Sequence, residues 1–374
     1  MKKTALILIP VLCLTCLAGC GSQKTASVEV EATVSEDAKY HSATVSLSPE
    51  EFEKAGFTLG DSCDVSFESG TSLTDVPYYN GYYVKTSAPV IVSYPGFDYV
   101  LITYNNEGIW EEAGLEEGDG VTISLNTKGK YLNIQEVLGQ DYSFDRFDYE
   151  SDEEFCNYRA LSGGKLKADF LFRGASPVDD SRGRAAYTDN LIEHEGIKFI
   201  LDLADTEEEM KTYMAAPDCP SAYTDRLYEG GRVALLGMSS SYESEEYKEK
   251  LVSGLRQMLA LNGPVYIHCM EGKDRTGFVC CLLEALAGAS YEEMQADYMK
   301  TYENYYKITK DKTPEKYQAI SDLYFDSFLT ALHRTEDKDE LVSADYTQDA
   351  EAYLISGGMT KEEVQKLKDF ILED

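Results

Sequence analysis

The alternation of apolar and polar positions changes character several times along the chain. After an apolar run from Ala5 to Ala18, residues 20–47 are rich in Ser, Thr, Ala and Glu with little periodicity, and read as a flexible tether. "SPEEFEKAG" then puts Ser48 at an N-cap, Pro49 at the first helical position and Glu51 in a capping box, which predicts a short helix. From Gly60 to about Val137 the period shortens to two. "GDSCDVSF" (60–67) and "GDGVTISL" (118–125) each set a Gly-Asp turn before alternating residues, and Asn80-Gly81 in "YNGYYV" signals a hairpin. Residues 48–143 are therefore expected to form a small β-rich domain, a barrel or a sandwich. Its many tyrosines suit half-buried strand positions.

An acidic stretch, "FDRFDYESDEEF" (144–155), marks a boundary. Beyond it, short apolar runs alternate with helical stripes. "DFLFRG" (169–174), "IKFILDL" (197–203), "RVALLGM" (232–238) and "PVYIH" (264–268) have the composition of buried strands. Between them, Thr206 and Glu209 form a capping box, and Leu251, Leu255, Met258 and Leu259 stripe one helix face. This grammar predicts an α/β domain, a sheet flanked by helices.

At 374 residues and 43% apolar, the chain is long enough for two buried cores. Its formal charge of −33 repels nucleic acid and anionic membrane surfaces, so nucleic acid is not an expected partner and a membrane is one only through an anchor. A site for an anionic ligand in such a chain needs a local, preorganised positive pocket. Lys2 and Lys3 followed by the short apolar run read as an export signal over residues 1–19. "LAGC" (17–20) resembles a bacterial lipobox, which implies diacylation of Cys20 and a protein anchored by lipid at the outer face of a bacterial membrane. Of nine cysteines, none outside the signal forms a zinc-type pair, and the four histidines are scattered singly. No metal or other cofactor is expected.

One segment concentrates chemistry. In "PVYIHCMEGKDRTGF" (264–278) a strand runs into His268 and Cys269, a tight loop follows to Arg275, and "RTGFVCCLLEALAG" has the composition of a helix stopped by glycine. The carboxyl end of a strand facing the amino end of a helix is where α/β proteins bind anions. Backbone N–H groups from Met270 through Glu271, Gly272 and Lys273 to Arg275 can share one concavity, and Arg275 can grip two phosphate oxygens in a planar fork. The helix dipole and Lys273 suit an anionic sulfur at Cys269, a nucleophile placed for in-line attack on phosphorus. The spacing of Cys269 and Arg275 alone is weak evidence. The whole string, strand and helix included, is far more specific. A Walker A loop is excluded, because Ile267 stands where its first glycine belongs.

The string resembles the loop of the cysteine-based protein tyrosine phosphatases, in particular the atypical bacterial tyrosine/dual-specificity group with HCxxGKDRTG. "CNYRALSGG" (156–164), "FLFRGASP" (170–177), "GIKFILDLADTEEE" (196–209), "ADYMKTYENY" (296–305) and "DAEAYLISGGMTKEEVQKLKDFIL" (349–372) are similar to other segments of that group, so the resemblance covers roughly residues 155–374. It implies a phosphatase-type α/β sheet and a phosphomonoester hydrolase working through a phosphocysteine. Cys269 would be the nucleophile, with Arg275 and the loop amides, Gly277 included, holding the phosphoryl oxygens. Thr276 would donate to the departing thiolate, and His268 would hold the loop or serve only as a strand-end residue with a backbone partner. Asp274 is the first candidate for the acid and Asp202 the second, since no aspartate lies between Val233 and the loop. Cys280 and Cys281 read as core filling behind the loop, with redox partnership as the alternative. Ala160, Gly174 and Ala204 depart from the family pattern, which has an acidic residue, a serine and an arginine there. A phosphorylated protein is the implied substrate. Inositol phosphates or phosphoinositides are the alternative, favoured by the extra charge of Lys273, and an inactive phosphate-binding module is the reading of another class.

Overall fold

The computed structural model describes residues 28–373 except 86, 106, 140, 217 and 218. The export signal, Cys20 and the first part of the expected tether lie outside the described residues. The rest of the tether is not one. "EVEATVSED" forms strand β1 (Glu29–Asp37) and "SATV" forms β2 (Ser42–Val45). Val30, Ala32 and Val34 alternate there with Glu and Thr, a period of two that the polar composition conceals.

These strands open a closed barrel with β3 (Ser62–Phe67), β4 (Ser72–Tyr79), β5 (Pro89–Val92), β6 (Val100–Tyr104) and β7 (Gly120–Thr127), in the order β1-β2-β6-β5-β4-β3-β7. Val34, Val65, Val76, Ile91, Ile102 and Ile123 fill it. The helix Pro49–Lys54 carries the predicted Ser48–Glu51 capping box. Asn80-Gly81 does not make a hairpin, because β4 pairs in parallel with β5. Asn80 is instead held by Gln135, whose Oε1 accepts from the Asn80 N–H at 3.1 Å and whose Nε2 donates to Asn80 Oδ1 at 2.9 Å.

The second sheet runs β11-β10-β12-β9-β8: β8 (Arg159–Ala160), β9 (Leu171–Gly174), β10 (Phe199–Asp202), β11 (Val233–Leu235) and β12 (Val265–His268). Only β8 is antiparallel. β12 lies between β10 and β9 and is buried throughout, as its unbroken apolar run requires. The helix that follows it, Asp274–Leu286, is buried from Thr276 onward, which places its amino end at the centre of the domain.

The two halves share apolar packing. Tyr79, Val90, Val92 and Leu101, on the outside of the barrel, join the same core as Ile320, Phe325 and Leu329 of the α/β half. The helix Leu132–Leu138 adds Ile134 and Val137, and a salt bridge runs from Lys316 to Glu136 at 2.9 Å. The barrel is thus a wall of one body.

Candidate active site

Residues 269–273 turn at the carboxyl edge of the parallel strands, between His268 and the helix that starts at Asp274. Gly272 sets the curvature. Its φ is +65°, a region costly for residues with a Cβ, and a Cβ there would overlap the Gly174 carbonyl. Gly174 is small for a related reason: its Cβ would sit 2.6 Å from the Tyr266 hydroxyl, which donates to the Ala175 carbonyl at 2.6 Å. A serine at this position would displace that hydroxyl.

The loop carbonyls are drawn outward. Met270 O accepts from Ser176 N at 3.0 Å, and Glu271 O accepts from the Tyr305 hydroxyl at 2.9 Å. Gly272 O accepts from Arg173 Nη2 at 2.8 Å and Asn157 Nδ2 at 3.1 Å. With the carbonyls tied back, the N–H groups from Met270 to Arg275 have no protein acceptor among the described residues. A row of unpaired amides at a helix amino end is an anion cradle.

Behind the cradle stands a charged scaffold whose roles sequence reasoning missed. Asp297 pairs with Arg173 and, at 2.7 Å, with Arg159 Nε. Burial opposes the charge on Asp297, yet Arg159 and Arg173 together hold its carboxyl below the ordinary range. Asn157, anchored by Arg159 Nη1 (2.7 Å) and Asn304 Nδ2 (3.0 Å), passes this order to the Gly272 carbonyl. Their motifs, "CNYR", "LFRG" and "ADYMKTYENY", were visible. The assembly of residues up to 147 positions apart was not.

Each candidate side chain can now be placed. Cys269 is buried at 4% exposure on the cradle floor, and Met270 is exposed at the rim. Arg275 donates from Nη1 to the Met238 carbonyl at 2.9 Å, which steadies one arm of its fork. Asp274 is half exposed, its carboxylate 3.9 Å from Lys273 Nζ. Burial disfavours the Lys273 charge, but Asp274 first, then Tyr302, Tyr306 and Glu271, keep the ammonium protonated well above its usual range. The Thr276 hydroxyl is buried with no hydrogen-bond partner among the described residues. Gly277 does not join the cradle. Its N–H closes the first helical turn on Lys273 O at 2.8 Å, and a Cβ there would sit 2.8 Å from the Tyr298 ring, so it serves close packing. Cys280 and Cys281 are fully enclosed thiols, Cys280 pushed up to about 12 by burial, as core filling requires.

His268 and Asp202 lie beneath the loop. His268 Nδ1 is 3.2 Å from Cys269 O, and its Nε2 is 3.7 Å from Asp202 Oδ2. Asp202 is wholly buried, with Oδ1 accepting from Ala204 N (2.9 Å) and Asp205 N (3.0 Å), which makes it a loop-shaping carboxylate. Burial lowers His268 to about 4 and raises Asp202 to about 6. Burial and the neighbouring Asp202 raise Asp205 to about 8.

These shifts carry signs. Asp205 moves from 3.8 to about 8 on folding, so its contribution to stability is full below 3.8 and is lost as pH rises through about 8. Asp202 acts in the same sense up to about 6, while His268, lowered from 6.5 to about 4, gains as pH rises between those values. Above pH 6.5 only Asp205 of the three still titrates. Stability should therefore fall toward pH 8.5 with a slope that Asp205→Asn makes shallower, by up to about 1.4 kcal/mol per pH unit. Urea unfolding at pH 6.5 and 8.5 checks this, and parallel slopes for the two proteins would refute it.

Comparison with known proteins bears on this geometry. The mycobacterial "Triple specificity protein phosphatase PtpB" (Mycobacterium tuberculosis, strain ATCC 25618 / H37Rv) is 28% identical over 102 residues, which span 25% of this chain and 34% of the relative. The match thus spans about a third of that relative's length. Among solved structures, P. aeruginosa TpbA in complex with pTyr overlays at a TM-score of 0.27 with 13% identity, covering 52% of this chain and 88% of the other. An uncharacterized conserved protein from Thermotoga maritima overlays at 0.23 with 16% identity, covering 26% and 36%. The model of the tyrosine phosphatase family matches residues 154–373, more than half of the chain and all of the cradle and its scaffold. By that match, the chain belongs to the tyrosine phosphatase family.

Proposed function

We propose that the protein hydrolyses phosphomonoesters through a phosphocysteine at Cys269. The observation that carries this reading is the cradle: every loop amide from Met270 to Arg275 is free of protein acceptors, while the outer carbonyls are tied away. A phosphoryl group seated there receives N–H donors on its equatorial oxygens and the fork of Arg275. Donors preorganised where charge develops account for most of the acceleration in such a site.

In the first step the Cys269 sulfur attacks phosphorus and the ester oxygen leaves with a proton. Asp274, half exposed beside Arg275 in sequence, is the group we assign to give that proton, whereas Asp202 is wholly buried. In the second step water attacks phosphorus, Asp274 takes its proton, and the sulfur departs with the Thr276 hydroxyl free to donate to it. Membership of the tyrosine phosphatase family supports phosphorylated protein as the substrate. Lys273, an additional cation in the loop though flanked by Glu271 and Asp274, supports inositol phosphates or phosphoinositides as a second reading.

Turnover of phosphotyrosyl and phosphoseryl peptides, inositol phosphates and phosphoinositides separates these readings. No turnover of any, with phosphate binding intact, would leave only a binding module. The acid is tested by leaving group. Asp274→Asn should slow an alkyl phosphate by about 10²-fold or more in kcat and p-nitrophenyl phosphate far less, because the latter leaves without help. An equal drop for both would remove Asp274 from the role.

A further inference from the structure

Glu271 puts a carboxylate inside a loop built for an anion, in a chain already at −33. Its side chain is turned to the outer side. The Tyr142 hydroxyl donates to Oε1, Arg182 Nε lies 3.6 Å from the same oxygen, and Lys273 Nζ lies 3.8 Å from Oε2. Tyr142 belongs to the segment joining the barrel to the α/β half, ahead of residue 154 where the family match begins.

That segment is firmly seated. The Tyr142 ring stacks on Tyr305 with centroids 4.8 Å apart and an interplanar angle of 11°, and meets Tyr306 edge-on at 5.2 Å. Arg184, buried at 1% exposure, lies over Tyr305 at 4.5 Å and donates from Nε to Phe155 O at 2.7 Å. Arg182 lies over Phe144 at 4.4 Å. The ring that carries the hydroxyl therefore has one place to sit, and the hydroxyl one carboxylate to meet.

We propose that Tyr142 is a positioning residue that holds the Glu271 carboxylate out of the phosphate cradle, so that the joining segment sets the affinity of the loop for its anion. This rests on the phosphatase reading only in taking phosphate as the ligand. Without the hydroxyl, the Glu271 side chain, held then only by the longer contacts to Arg182 and Lys273, is free to rotate toward the amides and compete with phosphate for the cradle. A like charge brought to an anion site weakens binding directly.

The test measures inorganic phosphate binding by calorimetry in the full chain carrying Cys269→Ser, and KM and kcat in the same variants with Cys269 intact. Tyr142→Phe keeps the ring stacking. It should weaken phosphate binding about tenfold and raise KM with little change in kcat. Glu271→Gln should bind phosphate at least as well as the parent, and the double variant should recover the parent affinity. Glu271→Asp, too short to reach the hydroxyl, should weaken binding as Tyr142→Phe does while leaving the joining segment untouched. Unchanged affinity in Tyr142→Phe, or the same weakening with Glu271→Gln present, would overturn the proposal. Absence of turnover in the wild type with this pattern of affinities intact would overturn the phosphatase reading alone.

Discussion

Cys269→Ser is expected to abolish turnover of every phosphomonoester the protein accepts, by at least about 10⁴-fold in kcat, while inorganic phosphate still binds. The two outcomes have separate causes in the structure. In the proposed site, binding rests on the backbone amides from Met270 to Arg275 and on the Arg275 fork, none of which a serine disturbs. On the proposed mechanism turnover needs the Cys269 sulfur as nucleophile, and a serine hydroxyl is a much weaker acid and a poorer nucleophile than a thiol. His268, the residue before Cys269, is no base for it, having Nδ1 at the Cys269 carbonyl and Nε2 toward Asp202. Rate measurements with p-nitrophenyl phosphate and calorimetric titration with phosphate check both halves. A serine variant within tenfold of the wild type would discard the phosphocysteine mechanism, and loss of phosphate binding would discard the cradle.

The legible part of the site was the part written locally. The loop from His268 to Thr276 is contiguous, and the whole string, between an apolar strand and a helical run, carries the signal that the bare spacing of its cysteine and arginine does not, so the chain alone pointed to an anion cradle. The strands around it were legible for the same reason: the apolar runs 199–202 and 265–268 are too short for helices and lack a polar face. What escaped was assembled across the chain. β1 and β2 hid behind a polar composition because only Val34 is deeply buried on β1. The parallel pairing of β4 with β5 overrode a local hairpin signal, since Asn80 found its partner in Gln135. The acidic stretch 144–155 read as a boundary, and its packing was not legible: Tyr142 and Phe144 lie against Arg184, and aromatic contacts of that kind leave no periodicity to detect. Gly277 was misassigned because a glycine beside a binding loop looks the same whether it admits a ligand or a neighbouring ring.

Asp297→Ala is expected to have the largest effect on stability, a loss of about 3–5 kcal/mol. Asp297 is the anion paired directly with Arg159 and Arg173, and Arg173 is fully enclosed, so truncation leaves buried guanidinium charge with no hydrogen-bonded carboxylate among the described residues and only the buried Glu284 carboxyl nearby. Desolvating an unpaired charge costs more than the ion pair contributes, which is why removal of one partner is so damaging. The damage extends to the site, because the same Arg173 holds the Gly272 carbonyl at 2.8 Å and Arg159 holds Asn157, which shares that carbonyl. Phosphate binding should therefore weaken along with folding stability, although Asp297 lies behind the loop. The pH dependence has a definite sign. The Asp297 carboxyl lies below its ordinary 3.8 in the folded protein, so its contribution is present above that value and fades as pH falls through the lower folded one. Loss of this cluster's contribution should thus add to acid destabilisation of the wild type only well below pH 3.8, and Asp297→Asn, which keeps an acceptor for one arginine, should fall between wild type and alanine near neutral pH. Urea unfolding near neutral pH for the three proteins measures the ladder. A loss under about 1 kcal/mol in Asp297→Ala would mean that water reaches the two arginines and that the cradle is held some other way.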